Sequence, residues 1–248
     1  MAPPGSRPAA GIPRLVFLGA MALGAAFITA SSLAYFDLRE LPPFAVEKLP
    51  VRFSTLWLAS LRVHVAAALV SLPLCIVLMM RMVQRRRAVH RWLGRVAGVV
   101  VLCALAPSGA VLAFDAKGGA LVTAGFLLSD AVVGLFMVKG IAAARRRDLV
   151  AHRRAMGHVF AQMSVAVTSR AMLVVLDGAG VSPDLAYVVA LWLPVVGSGV
   201  AAELFCGVWK CKIQFLGRMT HGLDKVVWSL RPGVLPRAVA RAVARVGR

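Results

Sequence analysis

The chain has 248 residues, 60% hydrophobic and 16% charged, with a mean hydropathy of +0.80 and a formal charge of +19. Soluble domains carry about 45–50% apolar and about 25% charged residues, so a water-soluble globular fold is excluded. Nucleic acid is excluded as the partner of the positive charge, because the cations cluster in short stretches between apolar runs.

The residues read as an all-α, polytopic transmembrane helical bundle. A helix needs roughly 20 apolar residues to cross a hydrocarbon core of about 30 Å. After an N-terminal segment over 1–13, six runs meet that length, at about 14–36, 55–80, 92–114, 119–142, 155–177 and 185–209. The first, which lacks a clear small-x-small cleavage site before Tyr35, is read as a retained span rather than a signal peptide. "GAMALGAA" (19–26) in the first span and "VVGSGVAA" (195–202) in the sixth predict close helix packing. Pro73, Pro107 and Pro194 predict kinks in three spans. Trp57, Trp92 and Trp209 fall at span ends, where indole favours the interface.

Lysine and arginine set the orientation. The N-terminus, the 81–95 turn, the 145–154 turn and the tail from Lys210 hold 2, 6, 5 and 9 of them. The intervening turns hold only Arg39, Lys48, Arg52 and Lys117. The positive-inside rule then places both termini in the cytoplasm of a cell whose inner (plasma) membrane, read as bacterial, holds the protein. The tail, 210–248, spaces Arg237, Arg241 and Arg245 four apart. That suits either an amphipathic helix on anionic inner-leaflet lipids or a disordered basic tail.

Ionisable groups within spans need a partner or a cavity. Counting 1.5 Å per residue from the span ends places Arg62, His64, Asp130 and Arg170 in one intramembrane polar cluster. An Asp130–Arg170 pair with His64 nearby is expected, chiefly as a structural tie between the second, fourth and fifth spans. A small transporter or proton pathway around Asp130, Arg170 and His64 is the alternative role. His64, Ser71 and Cys75 form one stripe on the second span, and His158 and Gln162 share a face of the fifth. The leading reading is a multi-pass membrane protein of uncharacterised function; as the alternative, His90 and His158 at the inner edge would supply two axial imidazoles for a b-type heme, with the nearby arginines suited to its propionates. His64 and His152 complete the set of candidate ligands, although His152 also reads as an interfacial anchor. The scattered Cys75, Cys103, Cys206 and Cys211 give no zinc site or disulfide framework. No phosphate-binding glycine loop, HExxH, GxSxG or CxxC occurs, so no catalytic residue is assigned. An enzymatic role is not expected; were there one, it would be that of a membrane oxidoreductase.

"HRWLGRV" (90–96) opening a span, "AVLAFDAKGGALVTAGF" (110–126) at a turn and "AARRRDLVAHRRAM" (143–156) before a span containing "VTSR" (167–170) form a recognisable set. Over roughly residues 55–205 this pattern resembles a family of bacterial membrane proteins, domain of unknown function 2306. The resemblance implies a multi-span membrane protein with no assigned activity. It also implies that His64, His90, His152 and Arg170 occupy recurring polar positions. His158, Asp130 and "CALAPSG" (103–109) depart from the family pattern. The histidine-bearing helices look loosely like those of cytochrome b561, by fold-level analogy.

Overall fold

The computed structural model describes residues 12–36 and 55–204. Six of its helices are long and apolar enough to cross a membrane: α1 (Ile12–Ser32), α2 (Thr55–Met79), α3 (Arg87–Ala113), α4 (Gly119–Arg145), α5 (Leu149–Gly178) and α6 (Pro183–Leu204). A 3-10 turn, Leu33–Phe36, follows α1, and a short helix, Arg81–Arg85, bridges α2 and α3. Among the described residues there is no strand. The basic tail and most of the N-terminal segment lie outside the described residues.

The helices run past the expected spans where the sequence turns basic. α3 begins at Arg87 rather than 92, α4 continues to Arg145 rather than 142, and α5 begins at Leu149 rather than 155. Hydropathy falls at an arginine, but helix geometry need not. A long arginine lays its aliphatic stem along the helix and keeps its head at the interface.

The turns are built from local chemistry. Between α4 and α5, the Asp148 N–H donates to the Ala143 carbonyl at 3.0 Å and the Arg147 N–H to Ala144 at 3.1 Å, closing α4 as a Schellman motif. Arg147 takes a left-handed conformation, φ 62°. Asp148 then caps α5, its carboxylate accepting from the Ala151 N–H at 2.9 Å. At the far end, Gly118 and Gly119 carry φ values of 99° and 72° between α3 and α4. The last carbonyls of α2 are claimed by neighbours: Arg14 donates to Met79, and Gln84 donates to Leu78 and Met79.

One apolar cluster joins α1 to α5: Leu18 and Met21, Leu72 and Ile76, Val101 and Leu105, Val133 and Met137, Val159 and Met163. A second joins α4, α5 and α6 through Val122, Val165, Leu191 and Val195. Some small residues mark close approaches. A methyl at Gly24 would meet Val167, one at Gly98 would meet Ile141, and one at Gly125 would meet Leu191. Gly19 and Gly197, from the two small-residue stretches, face open space. Gln162, only 5% exposed, ties three helices. It accepts from the Ser129 hydroxyl on α4 at 3.1 Å and donates to the Val195 carbonyl on α6 at 2.9 Å. Trp57, third in α2 at the span end, is buried, whereas Trp92 is exposed.

Pro107 produces a specific distortion. The turn before it, Val101–Leu105, is a π-helix, with the Ala106 N–H reaching back five residues to Val101. A proline lacks the donor for the preceding turn and presses its ring against it. Widening that turn relieves the clash, and such π-bulges recur at functional sites.

Candidate functional site

Two polar sites emerge, one within the span region and one at the end of the bundle rich in arginine. The deep site sits against the π-turn. His64 on α2 donates from Nδ1 to the Leu105 carbonyl at 3.1 Å, with the Ser108 hydroxyl 3.3 Å from the same nitrogen. That hydroxyl donates back to Ala104 at 2.6 Å and lies 3.1 Å from the Leu105 carbonyl. Asp130 on α4 approaches from the other side. Its Oδ2 is buried and has no hydrogen-bond partner among the described residues. Both groups close on Gly109: a methyl there would stand 2.5 Å from Asp130 Oδ2 and 3.0 Å from His64 Cε1.

The expected Asp130–Arg170 pair does not form. Arg170 is exposed and turns its Nη1 back to the Ala166 carbonyl of its own helix, at 2.7 Å. The Ser129–Gln162 bond sets the α4–α5 register and puts Asp130 level with the neighbourhood of Gln162. Arg170 lies eight residues farther along α5, about 12 Å away at 1.5 Å per residue. Arg62 is half-buried and joins no hydrogen bond or ion pair among the described residues. Of the expected intramembrane cluster, His64 and Asp130 come together and the two arginines stand apart. Ser71 and Cys75, in the same stripe as His64, are buried in the core.

The second site lies where α3 and α5 begin and α4 ends. The His90 and His152 rings face each other edge-on, with centroids 6.4 Å apart and planes at 89°. His152 Nδ1 donates to the Gly140 carbonyl at 2.9 Å, which leaves Nε2 of the neutral ring as a lone pair. That bond is possible because α4 and α5 cross closely there, at Gly140 and Ala155. His90 Nδ1 is buried without a hydrogen-bond partner among the described residues.

His158 is not the partner of His90. It is 5% exposed, stacks on Phe136 with centroids 4.1 Å apart and donates from Nε2 to Glu203 Oε1 at 2.8 Å. Arg154 binds the same carboxylate oxygen at 2.7 Å, so these groups lock α5 to α6. Six residues separate His152 from His158, which is about 9 Å of rise and roughly 240° of rotation. The two histidines therefore serve different neighbours. Ser108, Gly109, Ser129 and Phe136 touch the polar side chains of these sites and are positions that hydropathy and histidine counting pass over. The only signal for the first two was the Pro-Ser-Gly sequence inside an apolar run.

A sequence profile of the family described as Predicted membrane protein (DUF2306) matches residues 61–206. The chain belongs to this family. The match takes in both sites, from His64 to Glu203, and so describes a multi-helix DUF2306 membrane protein whose environment is a lipid bilayer. Comparison with curated proteins and with solved structures finds no match.

Proposed function

We propose that this DUF2306 protein is a membrane electron carrier that holds a b-type heme between His90 and His152. The observation that carries the reading is the placement of these two imidazoles, from different helices, at one end of the bundle with centroids 6.4 Å apart. An imidazole nitrogen binds a metal at about 2 Å. Two axial rings on one iron therefore stand on the order of 6 Å apart, centroid to centroid. No third His, Cys, Asp or Glu joins them, and no such group of three assembles among the described residues. A bare zinc ion wants three or four protein ligands, whereas a porphyrin brings its own ring of nitrogens and asks only for axial ones.

His152 would bind through Nε2, its tautomer held by the Gly140 carbonyl. His90 would supply the second axial nitrogen from α3. The arginines of 85–91 and 145–153 offer cations for the propionates. A heme held by these residues would supply one-electron transfer chemistry. In this reading the arginine-rich end faces the cytoplasm of a bacterial inner membrane, by the positive-inside rule, and the basic tail meets anionic lipids.

The test is the heme content of full-length protein purified in detergent from cells supplied with heme. The expected result is about one heme per chain with a Soret band, lost in His90→Ala and in His152→Ala. A colourless wild-type protein that stays colourless on titration with hemin contradicts the proposal.

A further inference from the structure

The geometry points to Asp130 and His64 as a proton-exchange pair built into the bundle, separate from the histidines at its end. Three observations converge on it. First, Asp130 Oδ2 is buried and unpartnered among the described residues. An ionised carboxylate without a partner in a membrane interior is very costly, so the resting group carries a proton. Second, His64 is held in one tautomer. Its Nδ1–H is committed to the Leu105 carbonyl, so Nε2 of the neutral ring presents a lone pair. Third, position 109 is glycine, and the space a side chain would fill is taken by Asp130 Oδ2 and by His64 Cε1, the carbon bonded to Nε2. The carboxyl and the imidazole edge thus share one small space on α3, where a single bridging water can link them.

The exchange balances without any further reagent. The proton leaves Asp130 Oδ2 and binds His64 Nε2, giving a carboxylate beside an imidazolium, and nothing is oxidised or reduced. The π-turn supports the acceptor. The carbonyls of Ala104 and Leu105, turned towards Ser108 and His64, place negative dipole against the ring as it gains charge. None of the surrounding charged groups among the described residues bonds to either member of the pair. Arg170 on α5 is within electrostatic range of His64 but bonds Ala166. Arg62 on α2 makes no ion pair among the described residues. Lys139, nine residues along α4, stands over Phe136, and His158 on α5 is engaged with Glu203. The charged groups of α1 and α6 among the described residues, Arg14, Asp184 and Glu203, lie at the helix ends.

Infrared spectroscopy of the full-length protein in lipid nanodiscs, transferred from water to heavy water, tests the pair. A protonated-carboxyl C=O band is expected in the wild type and absent in Asp130→Asn. Its exchange with deuterium is expected to slow on the order of 100-fold in His64→Gln, the loss typical of removing a positioned proton acceptor. Gly109→Ala keeps both groups but forces them apart, and should slow exchange in the same direction. It carries the test if His64→Gln fails to fold. No band assignable to Asp130 overturns the proposal. So does a wild-type exchange rate in His64→Gln or, where that variant does not fold, in Gly109→Ala.

Discussion

Replacing Gln162 with leucine tests how the polar tie at the centre of α4, α5 and α6 is held. The substitution keeps most of the side-chain volume at a position 5% exposed and removes two interhelical bonds, to Ser129 and to Val195. Such bonds in membrane helices are worth about 0.6 kcal/mol each. Neither remaining partner is stranded. The Val195 carbonyl still accepts from the Ser198 hydroxyl at 3.1 Å, and Ser129 can turn to its own helix, as Ser108 turns to Ala104. Gln162→Leu should therefore cost about 1 kcal/mol. Gln162→Ala loses the same bonds and also opens a cavity between three helices, for a total of about 3 kcal/mol. Unfolding in mixed micelles, followed by tryptophan fluorescence and circular dichroism, measures both. A leucine variant that costs as much as the alanine variant would refute the reasoning, since the bonds rather than the packing would then dominate.

The turn between α4 and α5 gives two smaller effects of opposite sign. Arg147→Gly should raise stability by about 0.5–1 kcal/mol, because glycine accepts the left-handed φ of 62° that arginine resists. An unchanged or lower unfolding midpoint would count against that strain. Asp148→Ala should lower stability by about 1 kcal/mol through loss of the cap on Ala151, with Asp148→Asn close to wild type. Equal losses in the alanine and asparagine variants in the same unfolding assay would show that the cap bond is not the cause.

The six helices were legible because membrane insertion depends on summed hydropathy, which a sequence states directly. Their basic ends were not, since Arg87, Arg145 and the arginines around them lower hydropathy without ending a helix. The polar sites were half legible. Depth counting places Arg170 and His64 at a similar level and Asp130 a little deeper, but it does not say which of them meet: Asp130 closes on Gly109 beside His64, while Arg170 bonds Ala166. From the sequence, His90 is also paired with His158, whereas the rings that come together are those of His90 and His152. The difference is one of direction around α5, where His152 is held against Gly140 at the close α4–α5 crossing. The π-turn before Pro107 was legible only as a kink. The proline dictates a distortion, but the packing of α2 and α4 against that turn decides which carbonyls meet His64.

The most direct test of the account compares absorption spectra of heme-supplied wild type, His152→Ala and His158→Ala, each purified as full-length protein. The His90–His152 assignment predicts a low-spin, six-coordinate Soret spectrum in the wild type and in His158→Ala, lost or converted to a five-coordinate form in His152→Ala. A spectrum that survives in His152→Ala and disappears in His158→Ala, or no heme in any of the three, would contradict it.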